Sequence, residues 1–170
     1  MPESGFRGLR WLLLSAAIVV LDLASKAWMS GWLRLGESRE VTPFFNLVMA
    51  HNAGAAFSFL ADAGGWQRWF FILVTLAVST VLVLLLKRNA GNRLLCLALA
   101  LVLGGALGNL HDRVTLGHVV DFIQVHAGGY YFPAFNVADS AITVGVVFLL
   151  WDGLRSPGPQ ARNDAGGAST

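Results

Sequence analysis

The chain contains four long apolar stretches, and these constrain its fold more than any other feature. They cover approximately residues 11–31, 66–86, 94–110 and 135–154. A helix needs about 20 apolar residues to cross roughly 30 Å of hydrocarbon, so these stretches match the length of membrane spans. Charged residues make up only 13% of the sequence, about half the usual share in a soluble domain. The sequence therefore predicts a membrane protein built mainly from helices.

The distribution of Lys and Arg predicts how these helices are oriented. The basic residues near one set of span ends are Arg7, Arg10, Lys87, Arg88, Arg93, Arg155 and Arg162. Those on the other side are Arg34, Arg39 and Arg68. Cytoplasmic loops of membrane proteins carry the excess of Lys and Arg. Both chain termini are therefore expected in the cytoplasm.

Two regions outside the spans carry further predictions. Residues 34–65 are rich in Val, Phe and Thr and punctuated by Gly and Pro, which favours short strands. They are also apolar enough to pack on the membrane surface or over a cavity. The small, polar residues 156–170 are typical of a disordered tail. We therefore expect one integral membrane domain over residues 1–155, of a membrane all-α class with a small β element.

The first span contains two charged residues, Asp22 and Lys26. At positions i and i+4 they share a helix face and can form an ion pair. A structural pair that orients helices and a role in binding or proton transfer both remain open, because ionisable groups within a membrane are often functional. In the third span, Gly104 and Gly108 form a small-xxx-small pair that lets another backbone approach closely.

A polar cluster made of Asn109, Asp112 and Arg113 lies at the outer end of the third span. Two interpretations of this cluster are open. Arg113 either extends towards lipid head groups as an anchor, or it holds a carboxylate or a phosphate.

Several other kinds of chemistry are not supported by the motifs. The histidines are His51, His111, His118 and His126. None forms a spaced pair such as HExxH, so no metal site is predicted. Ser140 has no nucleophile motif around it, and Cys96, the single cysteine, is expected to be a buried small hydrophobe. No basic stripe with interleaved aromatic residues indicates nucleic-acid binding.

Two further aspartates, Asp121 and Asp139, are expected to lie at one depth in the membrane. The third span runs outward and ends shortly before Asp121, whereas the fourth runs inward and begins about one turn before Asp139. Two carboxylates a few ångströms apart in low dielectric share a proton. One can then activate water while the other protonates a carbonyl oxygen, as in aspartic proteases. The alternative is that Asp139 only caps a helix and Asp121 faces solvent in a loop.

Five short sequence blocks follow one another across the four spans. They are "DLASK" at 22–26, "NAGAAF" at 52–57, "GGALGNLHDR" at 104–113, "VVDF" at 119–122 and "FNVADS" at 135–140. Together, and in this order, these blocks resemble the lipoprotein signal peptidase (signal peptidase II) family of bacterial inner-membrane aspartic peptidases. The resemblance covers the whole chain except its tail.

This resemblance implies an activity and a location. Family members remove the signal peptide from diacylglyceryl-modified prolipoproteins by cutting just before the lipidated cysteine. They use an aspartate dyad, matched here by Asp121 and Asp139, and no metal or other cofactor. Their fold has four transmembrane helices and a periplasmic β-cradle, matched by residues 34–65. The active site is then expected near the periplasmic face of the inner membrane.

The resemblance also implies roles for other residues and for partners. The substrate-binding positions are matched by Asn52, Gly54, Asn109, Arg113, Asn136 and Ala138. Supporting, structural positions are assigned to Asp22, Lys26, Gly104, Gly108 and Asp112. The expected partners are the lipid-modified prolipoprotein, membrane phospholipid and a globomycin-type cyclic peptide inhibitor, and the protein is expected to be a monomer.

Two other classes of function compete with a peptidase. A small ion-coupled transporter would also carry charged residues within the membrane, but it should show paired broken helices or internal symmetry, and neither is visible in the sequence. A non-catalytic lipid-binding membrane subunit would explain the glycines and the aromatic residues. It gives no reason for two aspartates at matching depth.

Overall fold

The protein is described here by a computed structural model that covers residue 8, residues 10–54 and residues 66–155. Its long helices are α1 (Trp11–Trp32), α2 (Trp66–Arg88), α3 (Arg93–Thr115) and α4 (Val137–Arg155). Each is long and apolar enough to cross a membrane. The expected disordered tail, residues 156–170, and the part of the expected cradle at 55–65 lie outside the described residues.

Helix α3 forms the centre of the bundle. Helices α1, α2 and α4 all pack against it, and α1 also contacts α4. A Cβ atom at Gly104 would lie 2.7 Å from Cβ of Ile18, and one at Gly108 would lie 2.6 Å from Oδ2 of Asp22. Both distances are shorter than real side chains tolerate. The two glycines therefore let α1 lie directly against α3.

A small antiparallel sheet lies beyond the helices. Its strands are β1 (Ser38–Thr42), β2 (Phe45–Asn52), β3 (Val119–Ala127) and β4 (Tyr130–Tyr131), in the order β1-β2-β3-β4. The fold class predicted from the sequence, four apolar helices with a small β element, is confirmed. The sheet is larger than predicted, however. The described part of residues 34–65 supplies β1 and β2, and the strand that carries Asp121 comes from the connection between α3 and α4.

The sheet packs onto the end of α1. Met29 of α1 and Leu33, which directly follows that helix, form a buried cluster with Met49 of β2 and with Val120 and Phe122 of β3. We call this the sheet end of the bundle. The opposite end, which we call the basic end, carries Arg10, Lys87, Arg88, Arg93 and Arg155.

Apolar side chains are exposed around the outside of the bundle. Leu13, Leu73 and Leu150, on three different helices, are 75%, 67% and 65% exposed. Patches of this kind are rare on soluble monomers and are expected where lipid tails surround a helix. By contrast, Cys96 is fully buried between α2 and α3, as predicted for a small hydrophobe.

Candidate active site

Asp121 lies on β3 and is almost completely buried, with 2% of its surface exposed. The side-chain amide of Asn136 donates a hydrogen bond of 2.7 Å to its Oδ1 atom. The amide of Asn52, at the end of the neighbouring strand β2, donates one of 3.2 Å to its Oδ2 atom. The predicted alternative, in which Asp121 faces solvent in a loop, is therefore wrong.

This environment favours the protonated form of Asp121. Burial raises the pKa of Asp121 from 3.8 to about 7, and the nearby charge of Asp139 adds to the increase. The hydrogen bonds from Asn52 and Asn136 act in the opposite direction, because they stabilise the carboxylate. Burial is the larger effect, so Asp121 retains a proton at a pH where an ordinary aspartate has lost it.

Asp139 lies in the first turn of α4, in an arrangement similar to a capping box. The backbone N–H of Asp139 donates to Oδ1 of Asn136 (2.9 Å), and the backbone N–H of Asn136 donates to Oδ2 of Asp139 (3.3 Å). In such a box two free N–H groups at the helix start are satisfied reciprocally. The side-chain amide of Asn109 donates a further bond of 2.7 Å to Oδ1 of Asp139. Asp139 therefore caps its helix, but its carboxylate also belongs to a wider network.

Asn136 connects the two aspartates. Its side-chain nitrogen lies 2.7 Å from Oδ1 of Asp121 and 3.1 Å from Oδ1 of Asn109, and its backbone N–H reaches Asp139. Asn136 is fully buried. The two aspartates, which come from β3 and α4, are therefore held by one pair of asparagine side chains.

A buried ionic cluster lies beneath this pair. The ammonium group of Lys26 is 2.6 Å from Oδ2 of Asp22, 2.9 Å from Oδ2 of Asp112 and 3.0 Å from Oδ1 of Asn109. Lys26 and both aspartates are no more than 3% exposed. A lysine ammonium can only donate hydrogen bonds. It therefore fixes the oxygen of the Asn109 amide towards itself, and this leaves the amide nitrogen to face Asp139.

The two aspartates of the ionic cluster also bind backbone groups on other elements. Oδ1 of Asp22 accepts the N–H of Ala138 at 2.9 Å, and Oδ2 of Asp112 accepts the N–H of Val120 at 3.1 Å. The cluster thereby ties α1 and α3 to the start of α4 and to β3. Ala138 is fully buried, so its N–H serves Asp22 and is not open to a ligand.

Arg113 and Gly54 meet at a residue that the sequence did not single out, Phe71 of α2. The guanidinium of Arg113 lies 5.1 Å from the centre of the Phe71 ring, within the range of a cation–π contact. Gly54 has φ +111°, and a Cβ atom there would lie 2.5 Å from the same ring. Its N–H donates to Oδ1 of Asn52 at 2.9 Å. Phe71 gave no signal because it lies within an unbroken apolar run.

A cavity of about 440 Å³ opens beside Asp139. It lies between the extended segment that precedes α4 and the first turns of α4, and its lining is mostly apolar. The lining residues are Phe132, Pro133, Ala134, Phe135, Asp139, Ser140, Thr143 and Val144. The hydroxyl of Ser140 donates to the carbonyl oxygen of Asn136 at 2.9 Å. The cavity therefore offers an apolar ligand direct access to one of the two aspartates.

Two of the four histidines, His51 and His118, stack on each other. The centres of their rings are 3.8 Å apart. Burial lowers the pKa of His118, and the nearby ring of His51 lowers it further. Within residues 8, 10–54 and 66–155, no three His, Cys, Asp or Glu side chains are arranged to hold a metal ion. The absence of a metal from the chemistry stays a prediction.

Comparison with known proteins identifies the family of the chain. A family model described as signal peptidase (SPase) II matches residues 14–155. The lipoprotein signal peptidase of Janthinobacterium sp. (strain Marseille) is 52% identical over 150 residues, which cover 88% of this chain and 91% of that protein. The lipoprotein signal peptidase of Pseudomonas fluorescens (strain Pf0-1) is 56% identical over 154 residues, covering 89% of this chain and 91% of that protein.

The fold is also similar to a solved structure. A structure described as a bacterial membrane enzyme has a TM-score of 0.77 and 36% identity, covering 86% of this chain and 88% of that chain. A second structure, described in the same words, has a TM-score of 0.77 and 35% identity, with coverage of 87% and 94%. The sequence match extends over α1 to α4 and the sheet between them. The chain belongs to the signal peptidase II family.

Proposed function

We propose that this protein removes the signal peptide from diacylglyceryl-modified prolipoproteins as an aspartic endopeptidase that cuts just before the lipidated cysteine. Its family and its relatives, which are named lipoprotein signal peptidases, support the substrate. The observation that carries the mechanism is the pair of aspartates joined through Asn136. The family assignment does not favour the transporter or the non-catalytic lipid-binding subunit.

The surroundings of the two aspartates support a different role for each. Asp121, whose pKa is raised to about 7, is the acid. Asp139 is the base, because the amide of Asn109 and the first turn of α4 both stabilise a carboxylate there. Asp139 takes a proton from water as the water oxygen attacks the scissile carbonyl carbon, and Asp121 gives its proton to the carbonyl oxygen.

The second half of the reaction returns both aspartates to their starting states. Asp139 passes the proton that it took from water to the nitrogen of the lipidated cysteine, and the carbon–nitrogen bond breaks. Asp121 recovers its proton from the hydroxyl group of the tetrahedral intermediate as the new carboxyl group forms. Net consumption is one water molecule per peptide bond, and no cofactor takes part.

The site's position suits a substrate that is held in a membrane. Asp121 and Asp139 lie where the helices meet the sheet, and the apolar cavity adjoins Asp139. The acyl chains of the substrate gain about 0.8 kcal/mol for each CH₂ group buried in the bilayer, which fixes the depth of the scissile bond. We assign Asn52, Gly54 and Arg113 to the polar rim that orients the peptide.

Location, assembly and inhibition follow as part of the same proposal. The concentration of Lys and Arg at the basic end supports a cytoplasmic location for that end. The sheet end and the active site then face the periplasm from the inner membrane, and the protein acts as a monomer. A globomycin-type cyclic peptide inhibits it by occupying the space between the two aspartates.

The decisive experiment is cleavage of a diacylated precursor by purified variants. Asp121→Asn and Asp139→Asn should each abolish cleavage while precursor binding is retained, because an amide keeps the shape but does not exchange a proton. The double variant should be no worse than either single one, since groups that act as a unit fail together. Glu40→Gln, at an exposed position on β1, is the control. Near-normal turnover in either aspartate variant would rule out the mechanism.

The orientation is tested by labelling single cysteines in a Cys96→Ala background. A cysteine at Tyr130, on β4, should react with an impermeant reagent added from the periplasm, and a cysteine at Arg88 should not. Labelling of position 88 from the periplasm would reverse the proposed orientation.

A further inference from the structure

A second cavity, whose lining shares no residue with the cavity beside Asp139, lies between α1 and α2. Both helices pack against α3, and the space between them forms a groove of about 610 Å³ whose floor includes Leu103 and Leu107. Its walls include Ala16 of α1 and Val83 of α2. None of the residues assigned to catalysis or substrate binding lines it.

The dimensions of the groove match one leaflet of a bilayer. Its wall on α2 runs from Leu76 to Lys87, a rise of about 16 Å at 1.5 Å per residue. Half of the hydrocarbon core of a membrane is about 15 Å thick. The groove therefore extends from the basic end of the bundle to about the middle of the membrane, which is the depth that a single acyl chain occupies.

The mouth of the groove is positively charged. Lys87 lines it at the basic end, and a neighbouring cavity at the same end is lined by Arg10, Trp11 and Arg93. Positive charge here disfavours a transmembrane helix as the occupant, because helices of the usual orientation also carry Lys and Arg at their cytoplasmic ends. It favours a molecule with an acyl chain and an anionic head group.

We propose that this groove binds an anionic phospholipid of the leaflet at the basic end, with an acyl chain between α1 and α2 and the head-group phosphate at Lys87. The lipid fills the space that α1 and α2 leave above α3 and contacts both helices. It is a structural partner and is distinct from the lipid chains of the substrate, which enter at the sheet end.

Native mass spectrometry of the purified protein tests this proposal. Phosphatidylglycerol and phosphatidylcholine with identical acyl chains are added in equal amounts, and the retained adducts are compared. Wild type should retain phosphatidylglycerol about fivefold better, the ratio that corresponds to the ~1 kcal/mol contributed by one Lys near an anionic surface. Equal retention of the two lipids would overturn the proposal, and this measurement needs no variant.

Two pairs of matched variants locate the site. Lys87→Gln should remove the preference, whereas Arg88→Gln, its exposed neighbour outside the cavity lining, should retain it. Ala16→Phe should fill the groove and lower retention of both lipids, whereas Ala17→Phe, exposed on the adjacent face of α1, should not. Equal effects within a pair would refute the assignment.

The other occupants of the groove give different results. If Ala16→Phe leaves lipid retention intact but raises KM for the lipidated precursor, the groove holds the signal peptide. If it changes the mass of the protein in solution, the groove holds a second copy of the chain. Either result overturns the lipid proposal, and neither bears on the roles of the two aspartates.

Discussion

Replacing Asp121 by asparagine is expected to change how the stability of the protein depends on pH. Burial and the charge of Asp139 raise the pKa of Asp121 from 3.8 to about 7 in the folded protein. The folded state then binds this proton more tightly than the unfolded state does. The contribution of this proton to the free energy of unfolding is fully present below the pKa of the unfolded state. It is lost as the pH rises through the pKa of the folded state.

The size of the effect follows from the shift of about three pKa units. Each unit corresponds to about 1.4 kcal/mol, so wild type should lose about 4 kcal/mol between about pH 4 and pH 7. Asparagine does not titrate and lacks this loss. The Asp121→Asn variant is nevertheless destabilised by an amount that does not depend on pH. Both oxygens of Asp121 accept hydrogen bonds from amide nitrogens, so the new amide nitrogen would face another donor. That mismatch costs about 1 to 3 kcal/mol.

Thermal unfolding in detergent, measured from about pH 4.5 to about pH 8, tests the prediction. Asp121→Asn should be less stable than wild type in acid, and the difference in Tm should shrink or change sign as the pH rises. Asp139→Asn removes the second cause of the raised pKa of Asp121, so in that variant the loss of stability should be smaller and should end at a lower pH. Parallel Tm curves for wild type and Asp121→Asn would refute the raised pKa and the assignment of Asp121 as the acid.

Two further changes test separate parts of the site. Asn52→Ala removes a hydrogen bond that lowers the pKa of Asp121. The alkaline limit of cleavage, measured in the pH profile of kcat, should therefore move to higher pH. A shift to lower pH would contradict the assignment of Asp121 as the acid. Gly108→Ala places a Cβ atom 2.6 Å from Oδ2 of the buried Asp22 and should destabilise the fold by about 1 to 3 kcal/mol, as a lower Tm. Gly153→Ala, where nothing lies within 4 Å, should leave the Tm unchanged.

The membrane architecture was predictable because apolar length and charge are local properties of the sequence. The third strand was not predictable to the same degree. Asp121 lies in "VVDFIQVHA", whose strand character depends on pairing with β2, and in that register Asp121 lies opposite Ala50. The two residues are some 70 positions apart in the chain. Pairing over such a distance leaves no periodic pattern that identifies it, so this segment was expected to be a connection.

The contacts among the asparagines were also beyond the reach of sequence patterns. Asn136 caps the start of α4, where its side-chain oxygen accepts the backbone N–H of Asp139. Its other bonds, to Asp121 and Asn109, depend on how α3, α4 and β3 pack together. The matching depth of Asp121 and Asp139 followed from topology alone, but the residues that join them did not.

The charges of the site explain why so many ionisable groups are kept together in a membrane protein. With Asp121 protonated, the connected groups comprise three carboxylates, on Asp22, Asp112 and Asp139, and two cations, on Lys26 and Arg113. Their formal charges nearly balance, whereas ionisation of Asp121 would add a second uncompensated negative charge in a buried place. Removing one partner of a buried ion pair costs about 3 to 5 kcal/mol. The ionic cluster therefore resists any shift of α1 against α3. Through Asn109 it also fixes the amide nitrogen that donates to Asp139, which is the arrangement that the proposed activation of water uses.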